Sequence, residues 1–247
     1  METGILTPYA SKTGWLGRLL EAQGHQDEVD ALGLSLPVPL ILRGSRNNDN
    51  FYPSFMPPAL NMVLENLKPA YASNPSMMKI LDGVVSRERS LTLRTTTKKR
   101  HVGLADLAIE AAKRLNMDDG PRVAVLDHLG FDTHANAPFQ SDSTMSELDN
   151  AIRVFKNELS EDVWNKTYIV TVTEFGRTAA ENSGLGTEHG YASLVMVLGG
   201  ALQSGGIIAD WPGLKQSELF QGRDLMATID SRSVYGSVMR SYLNTDH

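Results

Sequence analysis

Three short polar motifs beside runs of apolar, β-branched residues constrain the fold of this chain more than any other feature of its sequence. The motifs are Gly-Phe-Asp-Thr-His at 130–134, Thr-Glu-Phe-Gly-Arg-Thr at 173–178 and Gly-Thr-Glu-His-Gly at 186–190. The first two follow an apolar run and the third precedes one. Because short apolar runs are typical of buried strands, the motifs are expected at strand ends of an α/β sheet, where ligands usually bind.

Strands and helices are predicted to alternate in the second half of the chain. Residues 122–126 and 167–173 are predicted strands, and apolar residues at spacings of three and four indicate a helix over 145–159 between them. Strand, helix and strand in this order form a βαβ unit, which implies a parallel sheet with helices outside it. Thr144 and Glu147 are predicted to cap the helix as a capping box.

The rest of the chain adds further elements to this pattern. Other predicted strands are residues 38–42 and 194–198. Residues 1–35 are predicted to form a short helical opening with an apolar face at 15–20, and other predicted helices lie near residues 59–67, 75–87, 104–115 and 230–243. A threonine-rich segment at 91–97 fits either an edge strand or a loop. Since no internal repeat and no linker is visible, one α/β domain over residues 1–247 is the predicted organisation.

The composition excludes several classes of protein. The net charge of −6 argues against a general nucleic-acid-binding protein, and the basic cluster at 98–100 is interpreted as a solvated helix approach. The chain has no cysteine, which excludes disulfides, zinc–thiolate sites and a cysteine nucleophile. No apolar run reaches the roughly 18 residues of a membrane span, and no signal-peptide pattern opens the sequence.

The polar motifs contain the candidate ligands of a divalent metal, which are Asp132, His134, Glu174 and His189. Asp132 and His134 are two residues apart, so an extended backbone points both side chains the same way. Carboxylates together with imidazoles suit Zn²⁺, Mn²⁺ or Fe²⁺ better than Ca²⁺. The alternative is structural, because acidic residues at strand ends often cap helices and a single histidine is more often packed or exposed than ligating. His128 is a weaker ligand candidate.

Arg177 is the candidate catalytic residue outside the metal ligands. Its planar guanidinium suits the charged oxygens of a substrate, while an internal salt bridge to Glu174 or Glu181 is an equally good interpretation. The glycines at 184–190 fit neither a dinucleotide fingerprint nor a P-loop, and no Gly-x-Ser-x-Gly elbow is present. The sequence therefore disfavours nucleotide binding and a Ser-His-Asp hydrolase.

The motifs resemble those of a large bacterial family of unknown function, the uncharacterised-domain family fifteen hundred and one. The resemblance rests on Gly-Phe-Asp-Thr-His-Ala-Asn at 130–136, on the motifs at 173–178 and 186–190, and on segments at 1–4, 198–200, 211–214 and 222–225. Members typically carry twin-arginine export signals, and the family looks like a branch of the alkaline phosphatase and sulfatase superfamily. The resemblance thus implies a mostly parallel sheet with helices on both faces.

The superfamily also implies roles for particular residues. One metal takes an Asp and a His from one loop and a second His, which correspond by position to Asp132, His134 and His189. A second metal takes an acidic residue, here Glu174, and usually an adjacent His, but this chain has Phe175 there. The resemblance therefore leaves one metal or an altered site as open alternatives.

The resemblance also implies that the chain is truncated at both ends. The family's first strand, which supplies a metal-binding Asp and the Ser or Thr nucleophile in the superfamily, is expected to be missing. We expect the lost strand to expose a sheet edge, with low solubility or a homodimer as the result. By resemblance the protein is exported to the periplasm, whereas a genuine start at Met1 implies a cytoplasmic protein.

The predicted function is that of a shortened, metal-dependent hydrolase of phosphate or sulfate esters. Its substrate is expected to be a small anionic ester or a polymer, and the chain itself is expected to be weakly active or inactive. The alternative is a non-catalytic module of the cell envelope that binds a metal or a polymer.

Overall fold

The computed structural model describes residues 2–5, 7, 11–23, 31–35, 37–44, 48–52, 61–79, 81–82 and 102–243. The segments at 91–97 and 98–100, and parts of the helices predicted at 59–67 and 75–87, lie outside the described residues. The chain divides into two compact units, one made of Met1–Tyr52 with Gly103–His247 and the other of Pro53–Val102. A single domain over residues 1–247 stays a prediction.

The larger unit contains a three-stranded sheet. Its strands are β1 (Ala31–Gly33), β2 (Asn48–Asn50) and β3 (Val123–Val125). β1 lies in the middle and pairs in parallel with both neighbours, so that Ala31 is opposite Asn48 on one side and Val123 on the other. All three residues of β1 are buried, as expected for a parallel strand covered on both faces. The predicted strand at 122–126 is confirmed.

A hydrophobic core packs against this sheet. Helix α1 (Trp15–Gln23) presents Leu16 and Leu20 from its apolar face, and a 3₁₀ helix (Leu40–Leu42) contributes two more buried residues. Leu42 is fully buried. The partly buried residues around this cluster are Trp15, Leu19, Val38, Val123, Val125 and Met239.

The strand predicted at 38–42 is wrong, because this segment turns into the 3₁₀ helix. Pro37 and Pro39 lack an N–H and favour a turn over a sheet ladder. The backbone closes on itself instead, since the Leu42 N–H donates to Pro39 O at 3.0 Å and the Arg43 N–H donates to Leu40 O at 3.1 Å. In this conformation Ile41 and Leu42 are buried.

Three of the predicted helices are confirmed, although their ends differ from the predicted ones by several residues in two cases. The smaller unit contains α2 (Asn61–Tyr71), and the larger contains α3 (Leu104–Leu115) and α4 (Ala137–Glu158). α3 and α4 pack through the buried side chains of Leu104, Ala108 and Ala151.

The predicted capping box at Thr144 and Glu147 is wrong, because α4 begins seven residues before Thr144, at Ala137. Pro138 in its first turn has no N–H to satisfy and sets the start of the helix. Thr144 instead donates its hydroxyl to Gln140 O at 2.9 Å, and Glu147 accepts from the Leu104 N–H at 3.2 Å.

Short elements complete the larger unit. They are α5 (Glu161–Asn165), β4 (Ile169–Val170), β5 (Gly176–Arg177), β6 (His189–Gly190), β7 (Val197–Leu198), a 3₁₀ helix (Gln216–Glu218) and α6 (Ser231–Leu243). β4 pairs antiparallel with β7, so the βαβ pairing of β4 with β3 is not found among the described strand pairs. β5 pairs antiparallel with β6. Helices with a mostly parallel main sheet make this an α/β protein, as predicted.

None of the described helices combines the length and the apolar character that a membrane span requires.

The start of α6 depends on an acidic residue whose titration can be measured. The side chain of Arg232 hydrogen-bonds to Asp230, and the Arg232 N–H donates to the same carboxylate at 2.9 Å. These contacts lower the pKa of Asp230 from 3.8 to about 2. Because the folded value lies below the unfolded one, the resulting stabilisation is present above about pH 4 and is lost as the pH falls through about 2.

We predict that Arg232→Ala raises the pKa of Asp230 toward 3.8, because the strongest contact to its carboxylate is removed. Carbon NMR of the side-chain carboxyl during an acid titration measures this. Arg240→Ala, at the other end of α6, is the control and is expected to leave the titration unchanged. An Asp230 midpoint that stays near 2 in Arg232→Ala contradicts the assignment.

Candidate metal centre

Two loops of the larger unit meet at the candidate site, one following β3 and the other preceding β6. Their backbones are hydrogen-bonded to each other, with the Asn136 N–H donating to Gly184 O at 2.9 Å and the Thr187 N–H donating to Thr133 O at 3.1 Å. The two loops are distant in sequence, so this pairing is what brings the first and third polar motifs together.

Asn182 shapes the second loop. Its side-chain oxygen accepts from the N–H groups of Gly184 and Gly186 at 2.9 and 3.0 Å, and its amide donates to His134 O at 2.9 Å. A Cβ on Gly186 would lie 2.3 Å from the carbonyl of His134, so only glycine permits this approach. The loop is therefore fixed against the segment that carries the first motif.

The hairpin of β5 and β6 brings in the second motif. Arg177 lies directly opposite His189 in the antiparallel register. The backbones of Gly176 and Ala192 also come close together, since a Cβ on Gly176 would lie 1.8 Å from Ala192 O. The hairpin thus points two chemically active side chains at the loop after β3.

Asp132, His134 and His189 form the candidate metal-binding group. Their ligand atoms lie within 4.8 Å of one another. The Nε2 atoms of His134 and His189 are each 2.9 Å from Asp132 Oδ1. The three side chains are about half exposed, at 52%, 45% and 50% for Asp132, His134 and His189. One carboxylate oxygen and two imidazole nitrogens facing solvent suit a Zn²⁺-type ion that keeps a position open for water or substrate.

Arg177 is the fourth member of this cluster. Its Nη1 donates to Asp132 Oδ1 at 2.7 Å and its Nε donates to Thr187 Oγ1 at 2.9 Å, while Nη2 donates to the Thr187 carbonyl. The internal salt bridge that the sequence offered as an alternative is therefore present, but its partner is Asp132 and not Glu174 or Glu181.

Glu188 contacts the Nδ1 side of the His134 ring, opposite the Nε2 atom that faces Asp132. Its Oε2 lies 2.9 Å from His134 Nδ1, and its Oε1 accepts from the Asn182 amide at 2.7 Å. The imidazole of His134 therefore lies between two carboxylates, Glu188 at Nδ1 and Asp132 at Nε2.

Hydrogen bonds from neighbouring side chains favour the ionised form of both carboxylates. The Arg177 guanidinium, with His189 and His134, lowers the pKa of Asp132 below its ordinary value. The hydrogen bond from Asn182, with His134, lowers the pKa of Glu188 in the same way. At neutral pH the site thus presents negative charge to a cation.

Glu174 is not brought into the group of Asp132, His134 and His189. Its neighbour Phe175 stacks on the His189 ring with the centroids 3.9 Å apart, and Arg177 Cζ lies 5.7 Å from the centre of the same phenyl ring. A ligand role for Glu174 stays a prediction.

His128 also lies outside the group. Its Nε2 is 3.0 Å from Thr144 O and its ring meets Phe131 edge-on at 5.2 Å, so this histidine is held by α4.

Sequence reasoning did not anticipate the roles of Asn182, Thr187 and Glu188. An asparagine two residues before the first of two closely spaced glycines is typical of a side-chain-closed turn, and this signal identifies Asn182. Glu188 stands next to His189 in the third motif, but nothing in the sequence indicates that its partner is the ring of His134.

Fold and site together define an α/β protein with a carboxylate–imidazole cluster where two loops meet. The chain matches the family described as protein of unknown function (DUF1501) over residues 5–239, and it belongs to that family. No curated protein and no solved structure gives a match. The family predicted from the motifs is confirmed, while its relation to the alkaline phosphatase superfamily and its export stay predictions.

We predict that Gly186→Ala disrupts the site, because the added methyl group meets the backbone of His134 at 2.3 Å and must push the two loops apart. The expected result is a lower melting temperature and loss of metal binding, measured by calorimetry and by titration with Zn²⁺. Gly184→Ala is the matched control, since its methyl group finds its nearest neighbour at 3.4 Å. Equal behaviour of the two variants contradicts the proposed packing of the loops.

Proposed function

We propose that this protein binds one divalent transition-metal ion through Asp132, His134 and His189, and that it acts on phosphate or sulfate esters. The observation that carries the proposal is the convergence of both histidine Nε2 atoms on Asp132 Oδ1, each at 2.9 Å. The same three residues are those that the superfamily resemblance assigns to one metal. Zinc, manganese and iron all accept this set of ligands.

The residues present fit such an ion by the chemistry of their donor atoms. The three potential ligand atoms come from side chains that are about half exposed, which leaves the site open to an incoming ester. When bound, the metal supplies a Lewis acid that polarises an ester oxygen and lowers the pKa of an attacking hydroxyl or water. Arg177 donates to Asp132 at 2.7 Å, so its guanidinium lies beside the proposed ligands, and we propose that it also contacts the charged oxygens of the ester.

A second ion is not supported at the position that the superfamily uses. Phe175 occupies the place of a histidine ligand, and its ring is stacked on His189. A phenyl group cannot coordinate a metal, so we propose a single-metal site in which Phe175 supports one of the ligands. The finer fold expected from the superfamily, a sulfatase-like sheet, is part of the same proposal.

A non-catalytic module that binds a metal or a polymer is the second candidate function. The observation that favours it is the engagement of Arg177, whose Nε, Nη1 and Nη2 atoms each donate to Asp132 or Thr187. A guanidinium tied down in this way stabilises the site and is a poorer ligand for substrate oxygens. For either function we propose export to the periplasm, as the family resemblance implies, and self-association through a sheet edge.

Metal content tests the proposal. We expect about one zinc, manganese or iron ion per chain in protein purified without chelator, measured by mass spectrometry, and loss of that ion in His189→Ala because one of three ligands is removed. His128→Ala is the control, since His128 is held by Thr144 outside the cluster. Absence of metal after incubation of the wild type with each ion rejects the site.

Turnover separates the two candidate functions. The metal-loaded protein is expected to hydrolyse an aryl phosphate or an aryl sulfate, and chelation is expected to abolish that activity. Full metal occupancy without turnover of either ester favours the binding module.

A further inference from the structure

We infer that Glu188 is a positioning residue, which fixes the ring of His134 so that Nε2 is presented to the metal. The inference rests on the proposed metal centre and assigns a role to a residue outside the three ligands. Its basis is the contact between Glu188 Oε2 and His134 Nδ1, at 2.9 Å.

An imidazole can bind a metal through either nitrogen, and the hydrogen bond at the other nitrogen decides which one is available. In His134 the Nδ1 atom lies 2.9 Å from Glu188 Oε2 and the Nε2 atom lies 2.9 Å from Asp132 Oδ1, so a proton on Nδ1 that bonds to Glu188 leaves the Nε2 lone pair for the metal. A carboxylate behind a ligating histidine also raises the basicity of the ring and restricts its rotation. Glu188 thus selects both the donor atom and the ring orientation.

Glu188 is itself held in place, and this distinguishes it from a chance surface contact. The Asn182 amide donates to Glu188 Oε1 at 2.7 Å and to His134 O at 2.9 Å, so one side chain links the carboxylate to the backbone of the histidine that it orients. The backbone adds a further restraint, because the Glu188 N–H donates to Thr178 Oγ1 at 3.2 Å.

The position of Glu188 argues against direct ligation. The group of ligand atoms within 4.8 Å contains Asp132, His134 and His189 but not Glu188. One oxygen of Glu188 faces Nδ1 and the other faces Asn182, so both oxygens are directed away from Asp132 by their own partners.

Zinc affinity of three variants tests this role. We expect Glu188→Ala to bind Zn²⁺ about 10- to 100-fold more weakly than the wild type, as is typical when the partner of a ligating histidine is removed. Glu188→Gln keeps an oxygen that accepts from Nδ1–H, and it is expected to retain most of the affinity. Glu181→Ala, an exposed glutamate on the same loop, is the matched control and is expected to bind like the wild type.

Nitrogen NMR of the histidine rings gives a second readout that does not require metal. In the metal-free wild type the His134 Nδ1–H is expected to be protected from exchange by Glu188, and this signal is expected to disappear in Glu188→Ala but to persist in Glu188→Gln. Loss of the signal without a fall in melting temperature marks a positioning role and not a general loss of structure.

The outcomes separate the inference from the proposed function. A wild type that binds no Zn²⁺ rejects the metal centre, while the Nδ1–H signal still decides whether Glu188 orients His134. A wild type that binds Zn²⁺ with an unchanged affinity in Glu188→Ala overturns the inference alone. Equal, severe loss in Glu188→Ala and Glu188→Gln also overturns it, because a direct ligand behaves in that way.

Discussion

The backbone pairing of two loops is the constraint on which the candidate site depends. Asn136 and Thr187 donate their N–H groups across the pair, and the contact of Gly186 with the His134 carbonyl brings the chains as close as a glycine permits. Asp132 and His189 are 57 residues apart in sequence and would not otherwise meet. The backbone hydrogen bonds between the loops therefore determine where the candidate ligands lie, and side-chain contacts then orient them.

The ionic contacts in the site cannot be what holds the loops together. Asp132 and Glu188 are about half exposed, and ion pairs in such positions are weakened by water and by salt. Backbone hydrogen bonds and the amide of Asn182 hold the same segments without relying on charge. The backbone of the two loops is therefore held in place without relying on the charge of the histidines, which suits a preorganised cation site.

Sequence reasoning succeeded where periodicity or local spacing carried the information. The helix at 104–115, the strand at 122–126 and the proximity of Asp132 to His134 all follow from patterns within a dozen residues. It failed where a local signal was overridden, as at 38–42, where two prolines convert an apolar run into a 3₁₀ helix. The sequence did not predict the contact of Glu188 with His134, since this contact depends on how two distant loops pair. Glu174 stands in the second motif but is not part of the group of Asp132, His134 and His189.

Phe175 contacts two side chains of the candidate site, His189 and Arg177. The phenyl ring packs flat on the imidazole of His189 with the ring centroids 3.9 Å apart, so that the imidazole is supported on one face. Arg177 Cζ lies 5.7 Å from the centre of the same phenyl ring, and its Nη1 donates to Asp132. The guanidinium and a metal ion would therefore compete for one carboxylate. Because a divalent ion carries twice the charge of a guanidinium, its arrival weakens the hold of Asp132 on Arg177. If the site binds a metal, Asp132 would turn from Arg177 to the ion, while the guanidinium keeps its hydrogen bonds to Thr187.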